Sequence, residues 1–101
     1  MQQYASIPLT DTLTLTTADT EYSYTFDAGI SQFDMQSRNT ADIRISSTSG
    51  IVATAVSTTS DCVTMKGNTS YSSPPMWASA NQTLYFASST AGTIIELWLW
   101  K

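Results

Sequence analysis

Hydrophobic and polar residues alternate with a period of two along most of the chain, beginning with Thr12-Leu13-Thr14-Leu15-Thr16. The leucines there share one side and the threonines the other, as in a strand with one buried face. From Glu21 to Asp27 the pattern repeats, with Tyr22, Tyr24 and Phe26 on one side and polar residues on the other. Beyond the turn signal Asp27-Ala28-Gly29, Phe33 and Met35 alternate with Asp34 and Gln36, and Ile43 and Ile45 alternate with Asp42, Arg44 and Ser46. Each run predicts another half-buried strand. Ile51 to Val56 is apolar on both faces and predicts a central strand covered on both sides, while Val63 and Met65 predict a short strand ending at Lys66-Gly67-Asn68. The last pair, around Leu84-Tyr85-Phe86 and from Thr93 to Trp100, is joined by Ser88 to Gly92, a hairpin connection by its composition. Gly29, Gly50, Gly67 and Gly92 all fall between these runs, where each is expected to relieve a tight turn.

No helical period and no internal repeat interrupts this order. The expectation is an all-β protein: a single small β-sandwich, jelly-roll-like, of about eight antiparallel strands. Two stretches resist the alternation. Residues 1–10 read as an N-terminal extended arm preceding a sandwich domain at residues 11–101, and Gly67 to Gln82, with Tyr71, Pro74, Pro75, Met76 and Trp77, reads as a long irregular loop.

Composition fits this picture and narrows the chemistry. Ser and Thr make up roughly a third of the chain, which suits pleated, half-solvated surfaces. A length of 101 residues supplies one core, not two. The formal charge is -4, and Arg38, Arg44, Lys66 and Lys101 are scattered singly, so the clustered cations that grip phosphates are missing and nucleic acid is not expected as a partner. No apolar run approaches a bilayer span, and Met1 to Thr10 holds neither a basic nor an apolar leader segment, so no membrane partner is expected and synthesis and retention in the cytosol are. Cys62 is the only cysteine and reads as a buried structural thiol. Asn68-Thr69-Ser70 and Asn81-Gln82-Thr83 match glycosylation sequons, as chance allows in so Ser/Thr-rich a chain.

Catalytic chemistry finds little support. The chain has no His to activate a Ser or Cys nucleophile, no zinc-ligand spacing and no glycine-rich phosphate loop. Asp19 and Glu21 could together approach a cation through oxygen, but two carboxylates without a recognisable loop read more simply as a solvated turn. The reading is therefore of a protein that is not an enzyme and carries no cofactor or metal. What stands out is surface chemistry at the C-terminal strand. There Ile95, Leu97 and Leu99 share one face and Ile94, Glu96, Trp98 and Trp100 the other. If the aliphatic face is the core, Trp98 and Trp100 form an outward docking stripe of a kind enriched at protein interfaces. The alternative either puts the tryptophans in the core and leaves Leu97 and Leu99 outside, or covers both faces by a loop or arm. Trp77, in its Pro-flanked loop, either plugs one end of the sandwich or grips a partner.

Two segments, Gln36 to Ser46 and Leu84 to Trp98, resemble small β-sandwich proteins of tailed bacteriophages encoded among virion genes, some of which act as capsid decoration or cement proteins. The likeness covers about a quarter of the chain and lies in structural motifs. It implies a structural virion protein, made in the host cytoplasm and placed on the capsid surface. There it would bind the major capsid protein and stabilise the shell, with self-association into a homo-oligomer, a homotrimer at threefold positions being the expected form. Tyr4, Ile7 and Leu9 on the arm would then lace onto a neighbour, with Trp98 and Trp100 as a second contact and Trp77 as a further candidate. A tail- or fibre-associated β module is the nearest alternative. A carbohydrate-binding module that stacks sugars on Trp77, Trp98 and Trp100 is another.

Overall fold

A computed structural model describes residues 8–54, 61–75 and 80–100. Its eight strands are β1 (Leu9–Leu15), β2 (Tyr22–Phe26), β3 (Gln32–Ser37), β4 (Ile43–Ser46), β5 (Val63–Met65), β6 (Ser70–Ser72), β7 (Gln82–Ala87) and β8 (Thr93–Trp100). They form two four-stranded antiparallel sheets, ordered β1-β8-β3-β6 and β2-β7-β4-β5. The pairs β1 with β8, β2 with β7, β3 with β6 and β4 with β5 nest inside one another. A long antiparallel ribbon bent at the β4–β5 turn and rolled up gives this order, so the expected jelly-roll sandwich is the observed fold.

The alternation sets which side of each strand faces inward. Leu15, Phe26, Phe33, Met35, Ile43, Ile45, Met65, Phe86, Ile95, Leu97 and Leu99 are all buried between the sheets. Phe26 of one sheet stacks on Phe33 of the other, ring centroids 4.3 Å apart, and joins the two layers. A second tie crosses the β1–β2 side, where the Tyr24 hydroxyl donates to Asp11 Oδ2 at 2.6 Å. Burial beside this acceptor and the negative charge of Asp11 raise the Tyr24 pKa above the ordinary tyrosine value.

The rolled topology corrects several expectations. Ser88 to Gly92 is not a hairpin: β7 and β8 lie in different sheets, so this segment crosses from one layer to the other. Strand β1 already begins at Leu9, within the stretch read as an arm. Ser70–Ser72 supplies an edge strand inside the expected loop, and Ser73 extends its ladder by exchanging backbone and hydroxyl hydrogen bonds with Phe33.

Residues 51–54 form turns and not the start of a central strand, while Ala55 and Val56 lie outside the described residues. Val52 is nevertheless fully buried, because this loop folds over the outer face of the second sheet. Its carbonyl accepts from Arg44 Nε at 2.8 Å, and Arg44 Nη2 reaches Asp19 Oδ1 at 2.8 Å. Arg44 and Ser46 are thus buried where alternation alone put them in solvent. Gly67 is required by a close approach and not by positive φ: a Cβ there would overlap the Thr40 carbonyl group. Cys62 is half-buried, not buried, and lies just outside β5.

Candidate functional site

The second sheet has its outer face covered at Arg44 and Ser46, whereas Thr10, Thr12, Thr14 and Trp98 on the outer side of the β1-β8-β3-β6 sheet are exposed. Register places Thr10, Thr12 and Thr14 of β1 beside Trp98, Glu96 and Ile94 of β8. On the other flank Gln32, Asp34 and Gln36 of β3 stand beside Trp100, Trp98 and Glu96, and Ser72 and Ser70 of β6 continue the rows. Since side chains alternate across a strand, burial of Ile95, Leu97 and Leu99 forces Trp98 and Trp100 outward together. Of the two orientations left open by sequence, the outward stripe is the one observed.

The two indoles differ. Trp100 is half-buried, and its Nε1–H donates to Asp34 Oδ2 at 3.0 Å. Trp98 is 47 % exposed, and its Nε1–H meets no acceptor among the described residues. Around them the polar groups are tied together. Glu96 accepts from Gln36 Nε2 at 3.0 Å and from Arg38 Nε at 2.9 Å. These donors hold the Glu96 carboxyl below its ordinary pKa, and hydrogen bonds from Ser72 and then Trp100 do the same for Asp34. Both carboxylates therefore stay charged across the neutral range.

A shallow groove of about 510 Å³ runs along Trp98, lined by Thr10, Asp11, Thr12, Gln36, Arg38 and Glu96 among others. A second, more apolar cleft of about 690 Å³ opens between the short edge strands β5 and β6, with Phe33 and Met35 on its floor and Val63 and Tyr71 at its rim. It is an opening onto the core itself, with few polar groups to orient a ligand.

The expected contact residues do not form one set. Trp98 and Trp100 share the open face. Leu9 is half-exposed but belongs to β1 with the inward parity of Leu13 and Leu15, opposite Leu99, so it stands at the mouth of the sandwich and not on the tryptophan face. Tyr4, Ile7 and Trp77 lie outside the described residues. Thr10, Asp34, Gln36, Arg38 and Glu96 complete the surface and were not singled out from sequence as contacts. Their signal was the polar half of the alternation in β1 and β3, which needed the register to acquire meaning.

Asp19 and Glu21 are not paired on a cation site. Asp19 binds Arg44, and Glu21 accepts from Ser49 Oγ and Gly50 N at 3.0 and 2.7 Å. Among the described residues, no group of three or more His, Cys, Asp or Glu side chains is placed to hold a metal ion. Compared with protein-family models, curated proteins and solved structures, the chain matches none.

Proposed function

We propose that this chain is a structural virion protein, a decoration or cement protein that attaches to an assembled bacteriophage capsid shell through the open face of its β1-β8-β3-β6 sheet. The observation that carries the reading is Trp98: a large aromatic half in solvent, on a rigid central strand, among polar groups already satisfied by one another. Covering its exposed half would bury roughly 100 Å² and contribute about 2–3 kcal/mol, a magnitude typical of an interface anchor. The sequence resemblance points to the same class of protein.

The mechanism is linkage. A protein that binds the assembled shell and not its free subunits stabilises the shell in proportion to occupancy. Several copies acting together multiply a modest contact, which is the use of a homotrimer at threefold positions. The partner in this reading is the major capsid protein, the location the capsid surface, and no catalysis is involved.

Co-sedimentation with shells of the major capsid protein encoded alongside it tests the proposal. Saturable binding to shells, absent with free capsid subunit and lost in Trp98→Ala, is the expected result. Attachment of Trp98→Ala at wild-type level would remove the proposal's basis. Localisation of the protein on tails or fibres would move the same face to another virion partner.

A further inference from the structure

Two observations beyond exposure describe what would cover Trp98. The face carries carboxylates beside the indole: Asp34 stands directly across from Trp98 on β3, and Glu96 lies two residues away on β8. Its one cation in the described residues, Arg38, is engaged by Glu96. The other described cations are elsewhere, Arg44 buried against Asp19 and Lys66 beside Asp42. The indole ring, meanwhile, is the side-chain surface that attracts cations most strongly.

We infer that the partner surface seated on Trp98 presents an arginine, its guanidinium over the indole and its N–H groups directed at Asp34. This rests on the reading of the face as a docking surface and specifies the chemistry of its partner. A wholly apolar partner would strip water from Asp34 and Glu96 without replacing it, which disfavours burial of ionised groups. An anionic partner would meet like charge. A guanidinium answers all three demands at once, because it stacks on aromatic faces, pairs with carboxylates through its fork and sheds water more readily than an ammonium. The hydrogen bonds that keep Asp34 and Glu96 ionised maintain the complementary charge.

The test has two arms on the full chain. In the first, a capped arginine peptide and its citrulline counterpart, equal in shape but uncharged, are titrated while the indole N–H resonances are followed by NMR. The Trp98 resonance is expected to shift with arginine, with about fivefold weaker response to citrulline and a similar loss in Asp34→Asn. That variant keeps an oxygen acceptor for Trp100. Equal responses to the two peptides, or a shift with methyl glucoside and none with arginine, would overturn the inference, the latter making the face a sugar platform. In the second arm, shell attachment is measured as salt rises from about 0.05 M to about 0.5 M. Attachment should weaken steeply, and further in Asp34→Asn. If Trp98→Ala abolishes attachment while salt and Asp34→Asn leave it unchanged, docking stands and the cationic partner falls. If Trp98→Ala still attaches, the docking reading itself fails.

Discussion

Replacing Arg44 by Met gives a sharp test of how the covered face of the sandwich is held. The guanidinium is buried, with 9 % of its side chain exposed, and makes two charge-assisted hydrogen bonds, to the Val52 carbonyl and to Asp19. Met keeps much of the apolar stem but no donor. The Val52 carbonyl, on a fully buried residue, loses its partner, and such a bond contributes about 1.5–3 kcal/mol. The Asp19 side adds less. Its side chain is 45 % exposed, so water replaces the guanidinium and screening reduces the loss to well below that of a fully buried pair. The sum is about 2–3 kcal/mol, or about 10–20 °C in Tm for a domain of this size. Urea unfolding followed by tryptophan fluorescence measures it, provided the slope of the transition is unchanged. Asp19→Asn should lose only about 1 kcal/mol, because an amide oxygen still accepts and Asn tolerates the positive φ of 52° found there. An Arg44→Met variant as stable as the parent would mean that desolvation of the guanidinium cancels its bonds, and the 47–54 loop would then be held by Val52 packing and the Glu21 bonds to Ser49 and Gly50.

Three further outcomes are expected. Gly67→Ala should destabilise by about 2–3 kcal/mol in the same urea assay, since its Cβ meets Thr40 backbone and must also displace the Gly67 N–H from Asp42 Oδ1, whereas Gly29→Ala, with open space around it, should be near neutral. In an alkaline titration followed by phenolate absorbance, Tyr22, whose oxygen accepts from Thr17 N–H, should ionise before Tyr24. Because the folded-state pKa of Tyr24 is raised, its contribution is complete below the ordinary tyrosine pKa of about 10 and fades as pH climbs past it; Tyr24→Phe should flatten that part of the stability profile. Trp100→Phe should lower stability by about 1 kcal/mol through the lost bond to Asp34, while Trp98→Ala leaves unfolding nearly unchanged; a large loss of stability in the latter would show that its exposed half understates its packing.

Most of the architecture could be read from alternation because most strands place their apolar residues on the face between the sheets. The exceptions have separate causes. Ser70–Ser72 pairs with β3 through its backbone while all its residues stay exposed, so no hydrophobic pattern marks it. Ile51 to Thr54 has the apolar composition of a central strand, yet only Val52 is deeply buried, as a cap laid over Arg44. The expected hairpin at Ser88 to Gly92 failed for a topological reason: composition specifies a turn, while which strand lies alongside depends on how the ribbon rolls. The same applies to the face itself. Both sides of β8 are apolar, so its orientation rested on its neighbours, and pairing with Thr10 and Asp34 on one side and Leu9 and Phe33 on the other settles it.

The register also bears on why Trp98 and not Trp100 would anchor the proposed contact. On this face Gln36 and Arg38 are satisfied laterally by Glu96, and Trp100 by Asp34. Such groups are already oriented and lose little freedom when covered, which reduces the entropic cost of association. Trp98, alone in the stripe in having no acceptor for its N–H among the described residues, sits on a central strand whose backbone is held from both sides by β1 and β3. A half-exposed ring whose N–H has no acceptor among the described residues, beside carboxylates already held in place, would serve the proposed docking without reorganising. Gln36→Ala should therefore weaken the proposed attachment by loosening Glu96 without touching the partner's contact on the indole, and the loss should appear mainly as faster dissociation.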